Sequence, residues 1–181
     1  MKYLLKIIGV FIAVTIVMAF TTPEKQVSKL VARIWKDKEV SMEKISIPDS
    51  LVTDLNSLDR LMSEGEAIGF AVHATAYGCR VGGCPAPSGQ RTQANSQSYE
   101  TFDYIVIYDK NLMIKKIDIA NYGGEYGYEI CRAKWLKQFS GSRSGFELGE
   151  NIDGITGATV SASYLIEDLN SLSAILQKIG L

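Results

Sequence analysis

The chain has 181 residues, enough for one domain with or without an appendage, and its 46% hydrophobic and 22% charged residues are ordinary for a folded protein. Its 19 Lys and Arg residues stand against 20 Asp and Glu residues, which gives a formal net charge of -1. Nucleic-acid binding draws on an excess of positive charge. The composition therefore gives no support to nucleic acid as a partner.

The N-terminus has the pattern of an export signal or a short membrane anchor. Lys2 and Lys6 precede an apolar run over residues 7–20 that only Thr15 interrupts. The run falls short of the roughly 20 residues that a spanning helix needs, and Val17-Met18-Ala19 offers a cleavage site. We therefore favour a cleaved signal within residues 1–22; the alternative is a retained anchor, with membrane association through residues 3–20. Both place the remainder outside the cytoplasmic membrane, in the periplasm or cell envelope.

Residues 23–65 are expected to form an N-terminal helical segment. Val27, Leu30, Val31 and Ile34 recur at helical spacing, which predicts an amphipathic helix with a solvated Lys and Arg face. Residues 40–47 are ambiguous. A second amphipathic helix is predicted from Pro48 onward, and the residues expected on its apolar side are Leu51, Leu55, Leu58 and Met62.

Residues 66–181 are expected to form the main domain. Residues 67–77 alternate as in a strand, with Ile68, Phe70 and Val72 on one face and His73, interpreted as a structural histidine, on the other. Residues 78–100 form a long irregular excursion. Strands over 101–109 and 111–121 are predicted to form a hairpin that turns at residues 109–111. A helix over 129–139 and a long C-terminal helix over 159–179 complete an α+β fold, in which a small antiparallel sheet packs with helices.

The cysteines are interpreted through the predicted compartment. Cys79 and Cys84 enclose a short glycine-containing loop, and an oxidising environment favours a structural disulfide between them. Thiol–disulfide exchange by this pair is a weaker alternative. Cys131 is expected to be a core thiol on a helix. A zinc site would need further Cys or His ligands, whereas the chain has only Cys131 and His73 besides this pair.

The sequence Asp-Gly-Ile-Thr-Gly-Ala-Thr-Val-Ser-Ala, residues 153–162, precedes the last helix. A glycine-containing loop that opens a helix presents unpaired backbone N–H groups, which bind anions and phosphates. The hydroxyls of Thr156, Thr159 and Ser161 add to this chemistry. The same residue types are also common N-caps of helices that bind nothing. The physical pattern leaves both interpretations open, and a P-loop is excluded because its lysine is missing.

Residues 153–159 resemble the Asp-x-x-(Ser/Thr)-Gly-Ala-Thr motif of the FMN-binding domain family, which includes flavin-carrying subunits of ion-pumping NADH:quinone reductases and of related ferredoxin-dependent complexes. In that family a flavin transferase esterifies the phosphate of FMN to the last threonine of the motif. The resemblance implies covalent FMN on Thr159, with Asp153, Thr156, Gly157 and Ala158 as its supporting loop.

The segment upstream of the motif is similar to the family as well. The family commonly has a Glu-Thr-Pro-Gly-like loop, followed by a helix with a Trp-x-x-Gln-Phe-like end. Here Glu125-Tyr126-Gly127-Tyr128 lies in the corresponding loop, without the threonine and proline, and Trp135 to Phe139 matches the helix end. The resemblance implies that Glu125 and Tyr126 contribute to cofactor binding, and Tyr128 offers a second ring for stacking.

These expectations combine into an exported flavoprotein that transfers electrons at the outer face of the cytoplasmic membrane. Its partners would be a flavin transferase and redox proteins or a membrane respiratory complex. No dedicated acid, base or nucleophile stands out, so an electron carrier or a subunit of an oxidoreductase complex is expected before a stand-alone enzyme. The alternative is an extracytoplasmic ligand-binding or sensory module that keeps the fold without covalent flavin.

Overall fold

The computed structural model describes residues 22–48, 55–80, 99–124 and 126–181. Five strands are flanked by an N-terminal and a C-terminal helix, with short helical turns before the latter. The elements in chain order are α1 (Pro23–Ile34), β1 (Ser41–Lys44), β2 (Leu55–Ser63), β3 (Glu66–Arg80), β4 (Tyr99–Asp109), β5 (Ile114–Tyr122), a 3-10 turn (Tyr128–Cys131), α2 (Ala133–Leu136), a second 3-10 turn (Lys137–Phe139) and α3 (Thr159–Lys178).

The strands form one antiparallel sheet in the order β1-β2-β3-β4-β5. Each strand therefore pairs with its neighbour along the chain, and β3 lies at the centre. The β2–β3 connection is a tight turn at Glu64 and Gly65, both with positive φ. β4 and β5 are joined at Asp109, whose Oδ1 accepts hydrogen bonds from the N–H groups of Asn111 and Met113. The predicted hairpin between these two strands is confirmed.

A helix covers each face of the sheet. On one face, α3 and the segment before it pack against inward residues of the central strands, including Val72, Tyr104 and Val106. On the other, α1 packs through Val27, Leu30 and Val31 against Leu61, Ala71, Ile105 and Ile107. Because both faces are covered, β4 is buried at five consecutive positions, 104–108. The prediction of an α+β fold with an antiparallel sheet and a long C-terminal helix is confirmed.

The predicted second helix from Pro48 to Met62 is wrong for the described part of that segment. Residues 55–63 form β2, which pairs with β1 on one side and β3 on the other. Leu55 and Leu58 lie on the same face although they are three residues apart, because a bulge at Asn56 shifts the alternation. Leu61 then points to the opposite face, which α1 covers. The buried leucines of β2 therefore recur every three residues, a spacing that imitates the apolar stripe of a helix, because of one bulge and burial on both faces of the sheet.

The predicted strand over residues 67–77 is confirmed within β3, but its faces differ from the prediction in one place. Phe70 and Val72 lie on one face, as predicted, and this face is covered by α3. Ile68, which was predicted on the same face, packs on the α1 side. A register shift between Leu61 and Met62 of β2 leaves Ile68 as an extra residue in β3. This bulge reverses the direction of the side chains that precede it.

The predicted helix over 129–139 is present only as short turns, with α2 between two 3-10 segments. Cys131, expected in the core, is exposed at the end of the first 3-10 turn. The helix predicted over 159–179 is confirmed as α3, with its first residue at Thr159 as expected.

Several predictions fall on residues outside the described ranges. These are the signal or anchor within residues 1–21, Cys84 of the proposed disulfide, and Glu125. Cys79, the other half of the pair, is buried near the end of β3. In the part of the chain that the structure describes, none of the helices combines the length and the apolar character of a membrane span. The expected N-terminal segment over 23–65 contains α1 as predicted, and its last strand, β2, pairs with β3 of the expected main domain.

Candidate functional site

The Gly/Thr loop of residues 153–158 leads directly into α3. Ala158 is the N-cap of the helix and makes no side-chain capping hydrogen bond. It is buried, and its own N–H donates to the carbonyl of Ile155 at 3.2 Å. Thr156 and Thr159 are exposed. The N-cap position is thus held by alanine, which has no side-chain oxygen, and not by either threonine. The amides of the first turn of α3 therefore receive no hydrogen bond from an N-cap side chain.

Two side chains from the preceding turns hold the first residue of the motif from both sides. The indole Nε1 of Trp135 donates to the carbonyl of Asp153 at 2.8 Å, and the N–H of Asp153 donates to Oε1 of Gln138 at 2.9 Å. Trp135 is buried and packs edge-on against Phe139. The Trp-x-x-Gln-Phe sequence thus fixes the backbone of Asp153, while the carboxylate of Asp153 remains exposed.

Gly157 is the point at which the loop turns into the helix. Its φ of +86° lies in the left-handed region that favours glycine. A Cβ at this position would lie 3.4 Å from the carboxyl group of Glu129, so Glu129 covers one side of the loop. The other motif glycine, Gly154, has no such neighbour within 4 Å. The motif therefore needs glycine at 157 for its backbone conformation, whereas nothing in the described structure requires it at 154.

A hydrogen-bonded cluster joins the tyrosine-rich loop to the first turn of α3. The hydroxyl of Tyr122 donates to the carbonyl of Tyr126 and lies 3.0 Å from Oγ of Ser161. Because Tyr122 has one hydroxyl proton, Ser161 is the donor in the second bond. Gly127, with φ +89°, fits between the two, since a Cβ there would lie 2.5 Å from Ser161 Oγ. We call these residues, Tyr122, Gly127 and Ser161, the loop clamp.

The electrostatics of the clamp favour the protonated phenol. Partial burial raises the pKa of Tyr122, the hydrogen bond from Ser161 lowers it, and the negative charges of Glu100 and Glu129 raise it again. Partial desolvation of the thiol, together with the negative charges of Asp118 and Glu129, likewise raises the pKa of the otherwise exposed Cys131. Both groups are therefore neutral near pH 7, and the clamp hydroxyl remains a hydrogen-bond donor.

Exposed aromatic rings lie in the same loop. Tyr126 is 53% exposed and Tyr128 is 58% exposed, the largest values among the exposed large hydrophobic side chains of the described residues. The carbonyl of Tyr126 is bound by the clamp, so its ring is carried on a restrained backbone. Glu125, the other loop residue predicted to bind the cofactor, lies outside the described ranges.

The structure brings together most of the residues singled out in the sequence. The clamp contact to Ser161 places the Tyr126 loop beside the start of α3, where Thr159 is the first helical residue. The roles of Trp135, Gln138, Glu129 and Tyr122 were missed. The Trp-x-x-Gln-Phe pattern drew attention to Trp135 and Gln138 but did not show that they bind the backbone of Asp153. No feature of the sequence pointed to Glu129 or Tyr122.

Comparisons with known proteins add no family assignment. No family model matches the chain, and no curated protein matches it significantly. Within the described residues, no group of three or more His, Cys, Asp or Glu side chains could hold a metal ion. The motif and the contacts around it are therefore the features of the chain that bear on its function.

Proposed function

We propose that the chain is an exported electron-transfer flavoprotein that carries FMN covalently on Oγ1 of Thr159. The observation that carries the proposal is the exposure of Thr159 at the first residue of a 20-residue helix whose N-cap makes no side-chain hydrogen bond. A phosphodiester at this oxygen keeps one negative charge, and the backbone amides and the positive end of a helix N-terminus stabilise such a charge.

The residues present fit such a group. Thr159 would hold the phosphate, and the positive φ of Gly157 lets the backbone turn closely beside it. Trp135 and Gln138 fix the start of the loop through the backbone of Asp153. When bound, FMN supplies the one- and two-electron chemistry, while the protein sets its position and exposure.

The exposed rings of Tyr126 and Tyr128 are the proposed stacking surface for the ring system of the cofactor. Both lie in the loop that the clamp holds beside α3. Because the described site is at the surface, we propose electron exchange with redox proteins or a membrane complex rather than turnover of a small substrate. A flavin transferase is the proposed maturation partner, and the proposed location is the periplasm or cell envelope.

The proposal is tested by expressing the full chain with a flavin transferase and measuring its intact mass after denaturation. We expect a mass increase of FMN minus water and ultraviolet-excited fluorescence of the denatured band. Thr159→Val removes the attachment oxygen with little change of shape, and it should abolish both signals. Ser171→Ala, which removes an exposed hydroxyl elsewhere on α3, is the matched control and should keep them.

Flavin retained by Thr159→Val would overturn the attachment site. Folded protein that takes up no flavin from an active transferase would overturn the proposed function. In that case the alternative of a ligand-binding or sensory module on the same fold would be favoured.

A further inference from the structure

The outward face of α1 is basic. α1 buries Val27, Leu30 and Val31 against the sheet. With 3.6 residues per turn, Lys25 and Lys29 fall on the opposite side of the helix, one turn apart, and both are exposed. The helix therefore presents two aligned ammonium groups directly away from the sheet.

The basic character continues beyond the helix. Arg33, Lys36 and Lys38 are exposed as well, and from position 24 to 39 the five basic residues outnumber three acidic ones, Glu24, Asp37 and Glu39. The whole chain has a formal net charge of -1, so this local excess leaves the remainder net acidic. We call the surface formed by Lys25, Lys29 and Arg33 of α1, together with Lys36 in the turn that follows the helix, the basic face.

An apolar sequence stands close before the basic face. The run over residues 7–20 ends three positions before Pro23, the first residue of α1. In a chain that retains this run, as in the anchor alternative, the run would hold the basic face beside the membrane; after cleavage the basic face alone would bind, more weakly and reversibly. Anionic phospholipid headgroups have the charge complementary to this face.

We propose that the basic face of α1 docks on an anionic phospholipid surface. The consequence is a fixed orientation, because α1 and α3 cover opposite faces of the sheet. With α1 against the lipid, α3 and the motif at its start face away from the membrane. The docking is independent of the proposed flavin; only the resulting direction of electron transfer, toward a soluble or peripheral partner, rests on the proposed function.

The test is a lysine footprint of the full chain on vesicles. The protein is reconstituted with vesicles of phosphatidylcholine alone or of phosphatidylcholine mixed with phosphatidylglycerol, and acylation of each lysine is followed by mass spectrometry. We expect slower acylation of Lys25, Lys29 and Lys36 only on the anionic vesicles. Lys134 and Lys178 are exposed outside the basic face and serve as internal controls. High salt should remove the protection, because the screening length falls from about 10 Å at 0.1 M to about 3 Å at 1 M.

A charge variant separates the basic face from the apolar segment. Lys25→Gln/Lys29→Gln keeps residues 7–20 but should reduce the protection of Lys36, since each cation near an anionic surface contributes about fivefold to partitioning. Lys134→Gln/Lys137→Gln removes two exposed lysines elsewhere and should leave the protection unchanged. Equal acylation of Lys25 and Lys29 on both vesicle types would overturn the proposal. Protection by soluble polyglutamate but not by anionic vesicles would also overturn it, in favour of an acidic protein partner.

Discussion

Single residues in this fold differ sharply in how well their polar atoms are satisfied. Tyr108 of β4 is fully buried, and its hydroxyl has no hydrogen-bond partner among the described residues. Burial raises the pKa of this phenol, so the hydroxyl stays protonated at all ordinary pH values. Tyr122, in contrast, uses its hydroxyl twice in the loop clamp. A tyrosine hydroxyl thus destabilises the fold at position 108, where it is buried without a partner, and stabilises the candidate site at position 122, where it makes two hydrogen bonds.

Tyr108→Phe should therefore leave stability unchanged or raise it. The substitution removes a buried hydroxyl whose desolvation costs about 1–3 kcal/mol when it is unpaired. The free energy of unfolding from urea titration measures the effect. Tyr122→Phe is the comparison, and it should lower the free energy of unfolding because it deletes two hydrogen bonds. A clear loss of stability in Tyr108→Phe would show that its hydroxyl is satisfied.

At the scale of elements, the site is a junction between a loop and the start of a helix. The tyrosine-rich loop and α3 meet at Gly127, where a side chain would collide with both partners of the clamp. The motif loop is held separately, through the backbone of Asp153. Two independent sets of contacts therefore restrain the two sides of the candidate site.

Gly127→Ala should destabilise the protein more than a matched glycine substitution. Gly127 and Gly141 both have positive φ, at +89° and +86°, but no atom lies within 4 Å of a Cβ built at Gly141. Gly141→Ala should cost about 1–2 kcal/mol for the left-handed backbone alone. Gly127→Ala adds the overlap with Ser161 and Tyr122, typically about 1–3 kcal/mol more. Urea denaturation measures both variants, and equal losses would contradict a tightly packed clamp.

An element is predicted well from the sequence when its buried residues follow a single period, either that of a helix or that of a strand. α1 and α3 were predicted closely because each buries one helical stripe. β2 was mistaken for a helix because a bulge at Asn56 and burial on both faces imitate helical spacing. Bulges carry no strong sequence signal of their own here. Alternation in β3 likewise failed only at Ile68, where the second bulge lies.

Prediction of the site was limited in a different way. The start of α3 at Thr159 follows from local pattern, and the structure confirms it. The contacts of Trp135, Gln138 and Tyr122 join segments distant in sequence, so no local rule reveals them. The exposure of Cys131 has the same origin, because the expected long helix breaks into short turns there.

At the scale of the whole molecule, the sheet separates two surfaces of different character. α1 presents its basic face on one side, and α3 with the motif lies on the other. Between them, His73 of β3 is 9% exposed, and its Nε2 has no partner among the described residues. Burial lowers the pKa of His73, and the nearby carboxylate of Asp103 only partly opposes this effect. The folded protein therefore keeps this imidazole neutral over part of the range in which an exposed histidine is charged.

Between about pH 5 and pH 7.5, the pH dependence of stability should contain the titration of one imidazole, that of His73, because the chain has no other histidine. In the unfolded chain His73 takes up a proton below about pH 6.5. Since its folded pKa is lower, stability is fully present above that value and falls as the pH decreases toward the folded pKa. Urea titrations at pH 7.5 and pH 5, each about one unit or more from that value, should show a loss that is smaller in His73→Gln. Parallel curves for the two proteins would contradict a buried neutral imidazole.

The strand order has a further consequence for when the candidate site can be completed. Each strand pairs with the one before it, so the sheet can grow hairpin by hairpin, without waiting for distant segments. α3 is the last element, so it can cover its face of the sheet only after all five strands have formed. Thr159 thus acquires its surroundings at the end of folding. A modifying enzyme that recognises the assembled loop and helix would act on completed molecules and leave nascent or misfolded chains unmodified.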